Sequence, residues 1–290
     1  MNQTVINVSS YPNCIKYDEI DFTQGCEVGC LYCGLAKSKE NITELGIDSI
    51  LPLLKDVKKG IYLSPNSDAF SPLAVEKTYE ILKIVLPLGK QVKINTKCIL
   101  PENTIELLAK YSEQCTVQVS IGRLDQNITN FLEPHSASVE DRLKNIHLMC
   151  QKGIYVNGLI MPLFPGIDDT PELLSKLVSR LIEAGVKCIK AAYVILKFGD
   201  DEKSLKMINR IKSNPIFESS LNEMTEHIKA HIGEGNIANT RARLNTYQFI
   251  KHLCESKNTK FMACSVLDPV LLDLEGLTCT VCRDVLHYRK

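Results

Sequence analysis

The chain has 290 residues, with 34 basic and 34 acidic side chains and a formal net charge of zero. That balance excludes the domain-wide positive field of a protein that grips nucleic acid through its phosphates, and leaves room only for a local patch. Hydrophobic residues make up 44%, enough to bury the core of one large α/β domain or two small ones.

The N-terminus, Met1-Asn2-Gln3-Thr4-Val5, lacks the basic-then-apolar pattern of a signal peptide. No run of about 18 apolar residues offers a membrane span. The 12 cysteines of such a chain point to the reducing cytoplasm and to metal or redox use, not to a disulfide framework. They fall into three groups. Cys26, Cys30 and Cys33 share one short stretch, and Cys254, Cys264, Cys279 and Cys282 gather towards the C-terminus. Cys14, Cys98, Cys115, Cys150 and Cys188 each lie in or beside an expected strand or helix and read as structural thiols.

Residues 15–23 read as a first strand. It runs into Gly25-Cys26-Glu27-Val28-Gly29-Cys30-Leu31-Tyr32-Cys33-Gly34, a C-x3-C-x2-C spacing with three glycines. Three thiolates this close can wrap one face of an iron–sulfur cube, and glycine lets the backbone fold tightly around it. A [4Fe–4S] cube has four irons, so three ligands leave one iron open for chemistry. The alternative is a zinc knuckle, but structural zinc takes four protein ligands and the next cysteine is Cys98.

Downstream, strands and helices alternate. Residues 47–59 read as a helix stopped by Gly60, 61–63 as a strand, and Ser71-Pro72 as an N-cap and first helical residue. The helix that follows places Val75, Tyr79, Leu82 and Leu86 on one face. Residues 91–95 read as a strand, 101–111 as a helix, and 116–121 as a strand with Val117, Val119 and Ile121 at period two. Residues 138–152 read as a helix opened by Ser138-x-x-Asp141, close to a capping box, and closed by Gly153. Residues 154–161 are a strand, a helix runs from Thr170-Pro171 to Gly185, and 187–196 are a strand. Residues 200–253 read as helical and strongly charged, mostly a solvated outer face.

Six strand–helix units imply a parallel sheet with right-handed crossovers. They are too few for a closed eightfold barrel. A doubly wound sheet is the alternative, but no G-x-G-x-x-G follows the first strand. The expected fold is α/β: a partial (βα)6 barrel over residues 1–200, with a helical, cysteine-containing C-terminal extension over residues 201–290. Functional residues then belong at the C-terminal ends of the strands.

The cysteine spacing with an aromatic residue before the third thiol, Tyr32, resembles the signature loop of the radical S-adenosylmethionine (radical SAM) family. Further segments extend the resemblance in order: Ser67-Asp68-Ala69-Phe70-Ser71-Pro72, Asn95-Thr96-Lys97, Ser120-Ile121, Leu124-Asp125, Glu133-Pro134-His135, Arg142-Leu143 and Pro162-Leu163-Phe164-Pro165-Gly166-Ile167-Asp168-Asp169. This series is similar to the spore photoproduct lyase-related branch and covers roughly residues 20–195. The resemblance implies the partial barrel, a [4Fe–4S] cluster on Cys26, Cys30 and Cys33, and SAM chelated by the open iron. It implies reductive cleavage of SAM to a 5′-deoxyadenosyl radical, with electrons from a flavodoxin or ferredoxin. It places Tyr32 beside the adenine, Lys97 on the SAM carboxylate and Ser120 on SAM.

Reading the strand ends for such a cofactor adds more. Lys97 and Arg123 are the cations at these ends, Asn95, Ser67 and Ser120 suit ribose hydroxyls, and Asp68 lies in the same rim. Val194–Leu196 and Leu159 offer walls for an adenine. Glu133 and Arg142 read as a structural ion pair. The lesion-repair members of the branch carry a hydrogen-returning cysteine just before the Ser-Asp, where this chain has Pro65-Asn66-Ser67-Asp68.

The leading expectation is an enzyme whose radical abstracts hydrogen from an organic substrate, a small molecule or a peptide. Only about 25 residues precede the loop, too few for a domain that binds a peptide leader. Nucleic-acid lesion repair is the runner-up, and a non-catalytic iron–sulfur redox sensor is the alternative of another class. Near the C-terminus, Cys279-x2-Cys282 has a chelating spacing and Cys264 lies 15 residues before it. These three are expected to hold a second centre, an auxiliary [4Fe–4S] cluster or zinc, with Cys254 as a fourth ligand or else a core thiol.

Overall fold

Period-two segregation of side chains builds the central sheet of this computed structural model, which describes residues 6–8, 17–33, 43–44, 46–57, 60–194, 202–221 and 237–263. The strands are β1 (Ile6–Val8), β2 (Asp18–Ile20), β5 (Gly60–Leu63), β6 (Gln91–Thr96), β7 (Cys115–Ser120), β8 (Tyr155–Leu163), β9 (Cys188–Tyr193) and β10 (Lys260–Ala263). They pair in that order, β1 antiparallel and the remaining seven parallel. The order is linear, so the sheet curves into an unclosed partial barrel. A separate two-stranded ribbon, β3 (Thr23–Gln24) with β4 (Thr43–Glu44), starts at the cysteine loop.

The outer face of the sheet is apolar. Ile61, Leu63, Val92, Ile94, Val117 and Val119 pack beneath the crossover helices and are 2% exposed or less. Those helices are α2 (Val75–Val85), α3 (Glu102–Lys110), α5 (Val139–Gln151) and α6 (Pro171–Glu183). Burying each such side chain contributes about 1.5–3 kcal/mol, so this face is a major source of the barrel's stability.

Local signals explain most boundaries. Ser138 caps α5 by accepting from Asp141 N, Thr170 caps α6 by accepting from Leu173 N, and Pro171 fills the first helical position. At residues 47–59 the expected single helix is instead a short α1 (Ile47–Ile50) followed by a 3-10 turn, Leu51–Asp56. Pro52 sits in that segment and cannot donate to the α-helical ladder.

The helix expected from Ser71-Pro72 starts three residues later. Ala74 N and Val75 N both bond the Ser71 carbonyl, so Ser71–Ala74 form a turn before α2 begins. Of the face expected for it, Leu82 and Leu86 are fully buried and Val75 packs against the core, joined by Thr78, Ile81 and Val85, while Tyr79 lies at the margin.

One helix lies beyond the sequence expectation. A short α4 (Gln126–Leu132) opens where Asp125 Oδ1 accepts from Asn127 N and Ile128 N. Towards the C-terminus, α7 (Glu202–Lys212) and α8 (Ile237–Glu255) follow β9. α8 presents Arg243, Tyr247, Ile250 and Cys254 inward and leads into β10, which adds a seventh parallel strand beside β9. Cys254 is therefore a fully buried core thiol of this helix, as one of the two sequence readings had it. Among the described residues no helix is long and apolar enough to cross a membrane.

Candidate active site

The three-cysteine loop lies over the C-terminal rim of the barrel. Positive φ values at Gly25 and Gly29 turn the chain twice, and Gly29 N and Cys33 N bond the carbonyls of Cys26 and Cys30. Leu31 N bonds Leu132 O at 2.8 Å and His135 N bonds Val28 O at 3.3 Å, so the segment after β7 clasps the loop. Glu27 reaches the far side, accepting from Leu73 N at 2.7 Å.

Cys30 is buried, and Cys26 and Cys33 are partly exposed. Burial pushes the Cys30 thiol up to about 12, against the pull of Lys97, and the Cys26 thiol up to about 11. Such thiols keep their protons until a metal displaces them. Among the described residues no three Cys, His, Asp or Glu side chains converge as a single metal ion would need. A cube does not ask for that convergence, because each thiolate takes a different iron. The donor set of the loop, three thiols with the Glu27 carboxylate engaged by Leu73 N, suits a [4Fe–4S] cluster, which the soft sulfur ligands prefer.

Around the loop stands a buried charge lattice. Tyr32 donates to Glu133 Oε1 at 2.5 Å, and Arg142 Nη1 bonds Glu133 Oε2 at 3.1 Å and Ser120 O at 2.6 Å. The Glu133–Arg142 ion pair read from the sequence is thus present, with both side chains 2% exposed or less. Burial alone would raise Glu133, but Lys97, Arg142 and the Tyr32 bond hold its carboxyl below the usual range.

Asp68 is the organiser of the Lys97 turn. Its carboxylate accepts from Thr96 Oγ1 at 2.7 Å, from Lys97 N at 2.7 Å and from Phe70 N at 3.0 Å. Burial raises its pKa while these donors oppose the rise. Lys97 is partly buried, its ammonium 6.0 Å from the centre of the Tyr32 ring. Burial would lower its pKa, and Cys30 in its thiolate form, Glu133 and Asp68 overcome this and raise it. An ammonium beside the cluster loop, firmly charged, is what a carboxylate ligand needs.

Arg123 is held differently. Its Nε and Nη2 grip Asp168 at 3.0 and 2.7 Å, and Nη2 also reaches Pro162 O at 3.3 Å. Nη1 is buried with no hydrogen-bond partner among the described residues. The neighbouring strand, β8, carries a register shift between Ile160 and Leu163 and a cis Met161-Pro162 bond.

Of the remaining expected residues, Ser67 bonds Asp21, Asn95 bonds Gln118 and Tyr62, and Ser120 is buried at the end of β7. Tyr32, Phe164 and Phe217 stack edge to face, with Leu132, Val194, Ile211 and Leu221 around them. This second core, drawn partly from residues beyond 200, closes one side of the rim against water. Of the expected adenine wall, Ile195 and Leu196 lie outside the described residues, as do Cys264, Cys279 and Cys282.

Sequence reasoning missed the Tyr32–Glu133 bond and the polar inner face of the sheet. The second had a signal, the alternation Gln91, Lys93, Asn95 and Thr116, Gln118, Ser120.

The Radical SAM superfamily model matches residues 20–178, more than half of the chain. Protein ORF301 of Acidianus two-tailed virus is 28% identical over 131 residues, covering 44% of each chain. Protein MJ0683 of Methanocaldococcus jannaschii is 25% identical over 170 residues, covering 52% of this chain and 62% of its own. The chain thus matches about half the length of these relatives. Among solved structures, a spore photoproduct lyase double mutant with bound AdoMet and dinucleoside spore photoproduct superposes with a TM-score of 0.55 at 16% identity, over 73% of this chain and 65% of that one. A spore photoproduct lyase complexed with dinucleoside spore photoproduct gives 0.53 at 18% identity, over the same shares. These likenesses are of fold.

Proposed function

This chain belongs to the radical SAM superfamily, and on that premise we propose that Cys26, Cys30 and Cys33 hold the [4Fe–4S] cluster that the family implies, with SAM on its open iron. Bound together and reduced, cluster and SAM supply a 5′-deoxyadenosyl radical that abstracts hydrogen from an organic substrate. The carrying observation is the seating of the three-thiol loop on the barrel rim, beside Lys97 and locked through Tyr32 to Glu133.

Lys97 takes the SAM carboxylate, held in place by Asp68 through its own backbone N–H. Arg123, just past the end of the neighbouring β7, adds its unengaged Nη1. Ser120, Asn95 and Ser67 serve the ribose, and Tyr32 with the Phe164 and Val194 wall flanks the adenine. The aromatic layer around Phe217 keeps water from a reactive radical.

The substrate is a small molecule or a peptide. Lesion repair is the weaker reading: the solved neighbours bind a dinucleoside photoproduct, but residues 64–67 here are Ser-Pro-Asn-Ser, with no cysteine to return a hydrogen atom. A flavodoxin or ferredoxin is the proposed electron donor. Cys264, Cys279 and Cys282 remain proposed ligands of a second [4Fe–4S] cluster or zinc, on their spacing alone.

The test is electron paramagnetic resonance of the anaerobically reconstituted, dithionite-reduced protein. SAM should change the cluster signal by binding the open iron. A cluster signal indifferent to saturating SAM contradicts the reading.

A further inference from the structure

The inner face of a small barrel is normally filled by apolar side chains. Here it is polar. Register places Tyr62 beside Lys93, Asn95 beside Gln118, and Gln118 beside Asn157, all on the face opposite the apolar core. A hydrogen-bond string crosses it: Lys190 Nζ donates to Gln118 Oε1 at 2.9 Å, Gln118 Nε2 donates to Asn95 Oδ1 at 2.6 Å, and Asn95 donates to the Tyr62 hydroxyl. These groups lie deeper in the barrel than Lys97 and Ser120, which stand at the C-terminal ends of β6 and β7.

The charge on this face is uneven. On the β2 and β6 side, burial and the neighbouring Asp21 raise the Glu19 carboxyl, while Lys93 pulls it down. On the β9 side, Lys190 is partly exposed, hydrogen-bonds the neutral Gln118 amide and lies near the Cys188 thiol, with no carboxylate partner among the described residues. Between them, Asn157 and Thr116 are 4% and 3% exposed, and Asn157 Oδ1 and Thr116 Oγ1 are buried without hydrogen-bond partners among the described residues. Buried acceptors left open cost about 1–3 kcal/mol each, and a ligand with N–H or O–H groups removes that cost.

We propose that the barrel interior is the substrate chamber for a small polar molecule bearing an anionic group, carboxylate or phosphate, which pairs with Lys190. Asn157 and Thr116 accept hydrogen bonds from its N–H or O–H groups. Gln118 fixes the Lys190 ammonium, so little side-chain freedom is lost on binding. An apolar chain is disfavoured, because it would strip water from these groups and return no hydrogen bonds. This proposal deepens the radical SAM reading and rests on it.

The experiment measures thermal unfolding of the reconstituted, SAM-loaded protein with inorganic phosphate or succinate, against chloride at equal ionic strength. Wild type should be stabilised by at least one of the two, and which one identifies the anion class. Lys190→Gln should bind that anion about ten- to a hundredfold more weakly, and Lys190→Arg should recover part of the effect. Lys152→Gln, at an exposed ion pair with Glu106, controls for general charge loss. Circular dichroism checks the fold of Lys190→Gln, and Lys190→Met replaces it if it does not fold. No stabilisation of wild type by either anion, or equal stabilisation of wild type and Lys190→Gln, overturns the proposal. SAM cleavage by wild type without added anion reports separately on the enzyme reading.

Discussion

Tyr32 and Glu133, 101 positions apart, are joined by a hydrogen bond of 2.5 Å that ties the cysteine loop to the ion pair under the barrel rim. Glu133 has one oxygen on Tyr32 and the other on Arg142, and Arg142 holds the end of β7 through Ser120 O. Cluster loop, ion pair and strand end are thus one connected unit.

Tyr32→Phe removes that bond and leaves a buried carboxylate oxygen without its donor. Unfolding free energy should fall by about 1–3 kcal/mol in denaturant titration, with iron content retained. An unchanged midpoint would show that the bond contributes nothing.

Arg123 and Asp168 form a buried pair, with side chains 5% and 3% exposed. Asp168→Asn leaves the guanidinium buried and uncompensated, and also weakens the cap on Phe164 N. The expected loss is about 3–5 kcal/mol, read from the same titration. A loss below about 1 kcal/mol, the range of exposed pairs, would contradict this account.

Gly122 lies where β7 meets the shifted register of β8. A Cβ there would stand 2.8 Å from Pro162 O, a backbone atom with little room to move. Gly122→Ala should destabilise by about 1–3 kcal/mol through overpacking and should weaken SAM binding by displacing Arg123. Wild-type stability and affinity together would refute the close approach.

Lys97→Ala should weaken SAM binding about ten- to a hundredfold in anaerobic calorimetry, the cost of one charge-assisted contact, while leaving the iron content intact. Unchanged affinity would move the carboxylate to Arg123.

The cysteine loop was legible because its ligands lie close together in the chain, from Cys26 to Cys33, and its glycines mark the turns locally. The strand–helix alternation was legible for the same reason, through period two, period 3.6 and caps such as Ser138 and Thr170. The start of α2 was misread because Ser71-Pro72 has the composition of a helix start, whereas Asp68 and the Ser71 carbonyl make it a turn. β10 was hidden because a four-residue strand has little signal until β9 pairs with it. Lys93, Gln118 and Lys190 were overlooked because a solvated sheet face and a polar barrel interior share one alternating pattern. Only curvature of the sheet tells them apart.

The central claim, that this loop carries the reactive cluster, is tested most directly by 5′-deoxyadenosine formation. Wild type and Cys30→Ala are reconstituted anaerobically, reduced with dithionite and given SAM. The account predicts 5′-deoxyadenosine and methionine from wild type and none above background from Cys30→Ala. Equal 5′-deoxyadenosine formation by the two proteins would contradict it.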